Sequence, residues 1–217
     1  MTKHEKRNHV PNHVSAVVRI RDLEVGFQKQ PLLSIENLIV NPGEVLAITG
    51  PSGIGKTSLL KTIAGLLTPL SGLIQVCGAT SPQKPPRGTI GYIPQKLGLV
   101  RHSSVWANVM LGSRAGNTKL HSREQSTNAI LAMGLEEKRN EPIKRLSGGQ
   151  QRRVAIARTL AQRPKLMLAD EFLSELDEET SDRVVKAVMQ YVSTSGAAMV
   201  LVEHDISRAR EISDRLL

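Results

Sequence analysis

The sequence predicts an α/β protein with a mostly parallel sheet, and two observations support that prediction. The first is order: short apolar runs at 44–49 and 165–169 alternate along the chain with segments of helical spacing such as 56–67. Such alternation is typical of parallel strands with helices packed on the faces of the sheet. The second is composition: the 217 residues are 40% hydrophobic but only 2% aromatic, so the core that they form must be aliphatic.

The expected elements follow one another without an internal repeat. The turn signal Asn41-Pro42-Gly43 separates the second strand from the third, and Arg163-Pro164 ends the longest helix. Residues 213–217 resemble the start of a closing strand. Strands are expected at 17–25, 32–40, 44–49, 73–77, 89–93, 165–169 and 197–202, and helices at 56–67, 105–111, 123–133, 146–161, 179–192 and 206–212.

Charge and composition narrow the function classes. The formal net charge of +9 favours an anionic partner such as nucleic acid, nucleotide or an anionic membrane surface. The basic residues are scattered, so a solvated surface rich in lysine and arginine is an equally good interpretation. The scarcity of aromatic side chains disfavours base-stacking platforms.

The cellular location is predicted from the lack of a membrane-spanning segment, a secretory signal and a cysteine pair. No apolar run reaches the roughly 18–20 residues that a bilayer-spanning helix requires. Residues 1–15 are polar and basic, which predicts a flexible tail and no secretory signal. The single cysteine, Cys77, excludes an internal disulfide and agrees with a reducing compartment, so a cytosolic chain is the simplest expectation.

A phosphate-binding loop is predicted where Gly50 to Thr57 fit the pattern G-x-x-x-x-G-K-[ST]. Its backbone N–H groups and the following helix N-terminus attract phosphate. We expect Lys56 to reach the β- and γ-phosphates of ATP and Thr57 to ligate Mg²⁺. A glycine-rich structural turn is the alternative, but the loop lies between a predicted strand and a predicted helix. The predicted nucleotide-binding residues here are Gly50, Pro51, Ser52, Gly53, Ile54, Gly55, Lys56, Thr57 and Ser58.

An acidic pair, Asp170-Glu171, follows the apolar run Leu166-Met167-Leu168-Ala169. A buried strand would deliver both acids to the carboxyl end of the sheet, where α/β sheets bind ligands. Asp170 is suited to hold the Mg²⁺ water shell, and Glu171 to orient or deprotonate an attacking water. Alone, such a pair is more often a solvated strand end. It becomes specific because it follows a phosphate-binding loop.

The pentapeptide Leu146-Ser147-Gly148-Gly149-Gln150, followed by Gln151-Arg152-Arg153-Val154-Ala155-Ile156-Ala157-Arg158, resembles the signature of ABC-type ATPases. The resemblance covers roughly residues 17–215. It implies a P-loop NTPase core with a mostly parallel sheet, an N-terminal antiparallel β subdomain and an α-helical subdomain inserted at about 96–160. The chain then divides into a tail, 1–15, and one ATPase domain, 16–217.

The resemblance also implies roles for single residues. Phe27 would stack on adenine, and Gln95 would sense Mg²⁺ and the γ-phosphate. His204 would contact the γ-phosphate, and it joins Glu171, Lys56 and Gln95 in the expected catalytic set. The loop Ser174-Glu175-Leu176-Asp177 would lie between the sites of two subunits, with Ser174 and Asp177 at the contact. Without the resemblance, the alternative interpretation is that Phe27 is an ordinary strand residue and that His204 has a structural role at a strand end.

The resemblance further implies that the chain pairs head to tail with a second ATPase subunit, identical or different. Ser147 and Gly149 would act on the partner's γ-phosphate. Mg-ATP would close the pair, and hydrolysis would drive a separate transmembrane permease docked at 98–112, on the cytoplasmic face of the membrane. A capture protein is expected if the system imports. No nucleic-acid partner is expected.

The sequence departs from the family where Phe172 and Leu173 replace the usual proline and threonine. This substitution adds apolar bulk to the turn beside Glu171 and predicts an altered rate or coupling. Ile54 and Glu203 are smaller departures. Two alternatives stay open: a soluble ABC ATPase working on nucleic acid or the ribosome, and a nucleotide-binding module without catalysis. Neither the cargo nor the transport direction follows from the sequence.

Overall fold

The computed structural model describes residues 15–27, 30–116 and 118–217, without the side chains of Lys119 and Leu120. Apart from Ser15, the predicted flexible tail lies outside these ranges. The strands are β1 (Val18–Phe27), β2 (Gln30–Val40), β3 (Val45–Ile48), β4 (Ser71–Val76), β5 (Ala79–Thr80), β6 (Ile90–Ile93), β7 (Leu166–Asp170), β8 (Ala198–Val202) and β9 (Arg215–Leu216). The helices are α1 (Lys56–Ile63), α2 (Val105–Gly116), α3 (Lys119–Ala132), α4 (Gly148–Gln162), α5 (Glu178–Ser195) and α6 (Ile206–Ile212), with a single 3-10 turn at Ile143–Arg145.

The strands form two sheets, as the α/β prediction requires. The N-terminal sheet is antiparallel in the order β2-β1-β4-β5, and the second is parallel in the order β6-β7-β8-β3-β9. Every residue of β3, β7 and β8 is buried, which explains why these strands are continuous apolar runs. The expected closing strand is present as β9, where Leu216 pairs with Ala47 of β3.

Between β6 and β7 the chain forms α2, α3 and α4, whose mutual contacts make a helical layer. The predicted helix at 56–67 is one turn too long, because α1 ends at Ile63. Gly65 adopts a left-handed conformation with φ of 69°, and the N–H groups of Leu66 and Leu67 donate back to the Lys61 carbonyl. A glycine in this conformation ends a helix even where the apolar spacing continues.

Two apolar clusters lie on opposite faces of the parallel sheet. One joins the sheet to the antiparallel strands and α1, and the other joins it to α2–α5. Phe172 and Leu173 belong to the second cluster with exposures of 0% and 2%, so their apolar bulk fills the core and does not protrude from the turn. Within the described ranges, no helix is both long and apolar enough to span a membrane.

Candidate functional site

The predicted phosphate-binding loop connects β3 to α1 at the carboxyl edge of the parallel sheet. Gly50, Gly53 and Gly55 adopt φ angles of 139°, 85° and 109°, which glycine adopts without strain. A methyl group at Gly55 would lie 3.1 Å from the Cβ of Leu33 and 3.2 Å from that of Leu32. Glycine therefore lets β2 pack against the loop at the N-terminus of α1.

Lys56, the first residue of α1, turns its side chain back into this loop. Its Nζ donates to the carbonyl of Gly50 at 2.6 Å and to that of Pro51 at 2.8 Å. The residue is only 6% exposed. The loop thus holds a nearly buried ammonium group beside a helix N-terminus, which is a favourable environment for phosphate.

Asp170 ends β7 with 1% of its surface exposed. Its Oδ1 accepts a hydrogen bond from the Thr57 hydroxyl at 3.3 Å, and its Oδ2 has no partner among the described residues. Burial raises the pKa of Asp170 above its ordinary value; the Thr57 hydrogen bond opposes that rise, and the charge of Glu171 adds to it. The unpaired buried Oδ2 of Asp170 and the Thr57 hydroxyl bonded to Oδ1 are oxygen donors of the kind that Mg²⁺ takes.

Glu171, the next residue, lies in a different environment. Its carboxylate contacts His204 Nε2 through Oε1 at 2.7 Å and accepts from Gln95 Nε2 through Oε2 at 3.3 Å. Its backbone φ is 53°, a left-handed conformation that is unusual for a residue other than glycine. Three separate strand ends, those of β6, β7 and β8, therefore direct these side chains to one point.

The loop and this acidic group face one cleft of about 370 Å³. Nine of the predicted site residues line it, so the structure brings together residues more than 100 positions apart in sequence. The lining residues are Leu32, Ser52, Gly53, Gly55, Lys56, Thr57, Ser58, Gln95, Glu171, Val202 and His204.

Four predicted nucleotide-binding residues, Phe27, Gly50, Pro51 and Ile54, lie outside the lining of this cleft. Phe27 ends β1 with 53% of its surface exposed. Its stacking on adenine stays a prediction. Ile54 is 42% exposed.

The signature residues also lie outside the cleft, at the N-terminus of α4. Ser147 is the N-cap of this helix: its Oγ accepts from the Gln150 N–H at 3.3 Å, and the Ser147 N–H donates to Gln150 Oε1 at 3.0 Å. This capping box fixes the helix start. Ser147 and Gly148 are exposed, so they are accessible to another molecule.

The predicted inter-subunit loop joins β7 to α5. The Ser174 N–H donates to the Glu171 carbonyl at 3.1 Å. Asp177 caps α5 by accepting from the Thr180 N–H at 2.9 Å, and this hydrogen bond lowers the pKa of Asp177. The loop therefore runs directly from the acidic group of the cleft to a helix start.

Sequence reasoning missed two kinds of residue. Leu32 and Val202 line the cleft, but an apolar residue in a strand gives no sequence signal for such a role. Arg152 lies buried against the Glu171 turn, and its position within the signature helix was the only available indication.

Comparison with known proteins places this geometry in a family. The family described as ABC transporter matches residues 33–174, which hold the phosphate-binding loop, the signature and the acidic pair. This chain belongs to the ABC transporter family. It carries the ATP-binding cassette of that family, the type of domain whose ATP hydrolysis powers transport.

Individual relatives and solved structures agree with this family assignment. The arginine transport ATP-binding protein ArtM of Bacillus subtilis is 36% identical over 209 residues, which cover 93% of this chain and 86% of ArtM. The spermidine/putrescine import ATP-binding protein PotA of Legionella pneumophila is 36% identical over 203 residues, but the chain spans only 56% of its length. The dimeric ATP-binding cassette MJ0796, bound to ADP and Pi in a post-hydrolysis state, superimposes with a TM-score of 0.82 at 28% identity, over 92% of this chain and 93% of that one.

Proposed function

We propose that this ABC cassette hydrolyses Mg-ATP between two head-to-tail subunits and thereby drives transport through a separate transmembrane partner. One observation carries the proposal. The Glu171 carboxylate lies within hydrogen-bonding distance of His204 and Gln95 in the same cleft as the phosphate-binding loop. A base placed beside a phosphate cradle is what hydrolysis of a terminal phosphate requires.

Each group in the cleft has a distinct task in this reaction. The loop N–H groups and Lys56 bind the phosphates and stabilise the charge that develops during phosphoryl transfer. Glu171 orients the attacking water and accepts a proton from it. His204 holds the Glu171 carboxylate in place and faces the γ-phosphate. Mg²⁺, when bound, would neutralise phosphate charge. Thr57 and Asp170 offer it oxygen ligands, with Gln95 at the edge of the same site.

The proposal of a second subunit is based on the position of the signature. Ser147 and Gly149 are outside their own cleft, at an α4 N-terminus with an exposed start. Backbone N–H groups there suit a phosphate brought by another molecule. The dimeric MJ0796 cassette with ADP and Pi supports such pairing. The partner subunit is a second copy of this chain or a different ATPase.

The membrane partner would dock at residues 98–112. This stretch exposes Val100 and Leu111, with 46% and 51% of their surfaces accessible. Arg158 of α4 donates to the carbonyls of Leu97 and Gly98 at 2.8 and 2.9 Å, so the stretch is tied directly to the signature helix. Movement of 98–112 would therefore reach α4 through Arg158 as well as through the packing of α2 against α4.

Import is the favoured direction, because relatives such as PotA are named import proteins. A capture protein outside the membrane then completes the system, and this chain works on the cytoplasmic face. The named cargoes differ among relatives at similar identity: arginine for ArtM, and spermidine and putrescine for PotA.

Phosphate release by the purified chain tests the proposal. We expect turnover that requires Mg²⁺, and we expect Glu171→Gln to lower kcat by about 10²- to 10⁴-fold, the range for loss of a positioned general base. Glu178→Gln is the matched control, because that acid lies in the first turn of α5 and outside the cleft. Wild-type binding of ATP without any turnover would overturn the proposal and favour a non-catalytic module.

A further inference from the structure

Arg152, one turn into the signature helix, is a buried cation. Only 2% of its surface is exposed, and its Nε has no hydrogen-bond partner within the described part of the chain. Burying a guanidinium is costly unless its surroundings compensate for the lost hydration. An apolar residue would fill this space at a lower cost, so the charge calls for an explanation.

Both partners of Arg152 belong to the turn that follows β7. Its NH1 donates to the backbone carbonyl of Glu171 at 3.4 Å, and its NH2 forms an ion pair with Glu175 Oε1 at 3.6 Å. Glu171 and Glu175 both adopt left-handed conformations, with φ of 53° and 65°. Residues other than glycine keep such conformations only where their surroundings hold them. Arg152 contacts the turn at both of these positions.

The start of α4 touches the same turn a second time. A methyl group at Gly148 would lie 2.4 Å from Glu175 Oε2, and one at Gly149 would lie 3.0 Å from the Glu175 carbonyl. The absence of side chains on these two residues lets α4 lie directly against Glu175. The signature and the Glu171 turn are therefore in contact through two glycines and one buried cation.

We propose that Arg152 is a positioning residue that couples the signature helix to the catalytic turn of its own subunit. The inference rests on the proposed function, in which the signature engages the partner's ATP and Glu171 acts on the ATP of its own cleft. A shift of α4 on engaging the partner's ATP would move the Glu171 carbonyl through Arg152. One side chain thus links the two ATP sites of a pair.

The test compares four single variants and one double variant of the full chain in steady-state turnover and thermal unfolding. Arg152→Met removes both contacts and keeps the apolar stem. Arg152→Lys keeps a charge for Glu175 but cannot span both partners. Glu175→Gln weakens the ion pair alone. Arg153→Met is the matched control, because Arg153 donates to the carbonyls of Met133 and Gly134, and its charge acts on Asp177 and not on Glu171 or Glu175.

We expect Arg152→Met to lower kcat by about 10- to 100-fold, the scale of a small misplacement of a catalytic group, with KM for ATP changed less than about twofold. Its unfolding temperature should match or exceed that of the wild type, because a buried charge has been removed. Arg152→Lys should have a kcat between those of Arg152→Met and the wild type. Arg153→Met should have the kcat of the wild type. Adding Glu175→Gln to Arg152→Met should lower kcat no further.

Two results would overturn the inference. One is an Arg152→Met variant whose kcat stays within about twofold of the wild type. The other is a loss of kcat in Arg152→Met that is accompanied by a clear fall in its unfolding temperature. Such a result would show that Arg152 has a structural role only. If the wild type itself shows no turnover, the proposed function fails and this inference fails with it, so the two failures are distinguishable.

Discussion

At the scale of single residues, two adjacent acids have been given separate environments. Asp170 is 1% exposed and its side chain accepts a hydrogen bond from the Thr57 hydroxyl, whereas the side chain of Glu171 is 24% exposed and contacts His204. A buried carboxylate with one unpaired oxygen can bind a cation, and a partly exposed carboxylate can contact water. Because β7 ends at Asp170, the backbone changes direction at Glu171, and the two neighbouring carboxylates lie in different surroundings.

The buried acid gives a prediction for stability against pH. Burial raises the folded-state pKa of Asp170, so the folded chain keeps this proton to higher pH than the unfolded chain does. Stability contributed by the protonated group is full below the unfolded pKa and is lost as pH rises through the folded pKa. Asp170→Asn should therefore be more stable than the wild type at about pH 8, with the difference shrinking towards pH 4, while turnover is lost.

Denaturant unfolding across that pH range measures the effect. Asp182→Asn serves as the control, because Asp182 is an exposed acid on α5. The control should show no comparable gain at high pH. An Asp170→Asn variant that is less stable than the wild type at high pH would contradict this account of the buried acid.

At the scale of elements, the N-terminus of α4 combines a structural and a functional demand. Ser147 caps the helix through Gln150, and the proposed function makes the same residue face the partner's phosphate. The two demands can be separated by substitution. Aspartate caps a helix as well as serine does, but it places a negative charge where phosphate must approach.

We therefore expect Ser147→Ala to lower the free energy of unfolding by about 0.5–2 kcal/mol and Ser147→Asp to leave it nearly unchanged. Both variants should lose turnover, and Ser147→Asp should lose it without any loss of stability. Phosphate release and denaturant unfolding on the same samples measure both quantities. Ser147→Asp with wild-type turnover would show that this helix start does not meet phosphate.

Much of the site was predictable because its chemistry is local in sequence. The phosphate-binding loop and Asp170-Glu171 follow from short motifs, and their convergence follows from the shared edge of parallel strands. The contact of Arg152 with Glu175 was not predictable, because it joins two elements through tertiary packing. The end of α1 was missed for a local reason, since the left-handed Gly65 overrides the apolar spacing after it.

At the scale of the whole molecule, the cleft and the signature lie at separate places on the surface of one chain, and the proposed function makes each of them part of an ATP site. The cleft contains the loop and Glu171, while the signature faces outwards from the start of α4. Two chains placed head to tail would complete two such sites. The association should therefore depend on ATP, because the nucleotide supplies the surface that joins the two halves.

Oligomeric state in the presence of ATP tests this central claim most directly. Mass measured by light scattering on Glu171→Gln should rise from monomer to dimer when Mg-ATP is added, because the slow variant keeps its nucleotide. ADP should leave it a monomer, and a variant that also carries Lys56→Ala should not respond. A Glu171→Gln chain that binds Mg-ATP and stays a monomer would contradict the account.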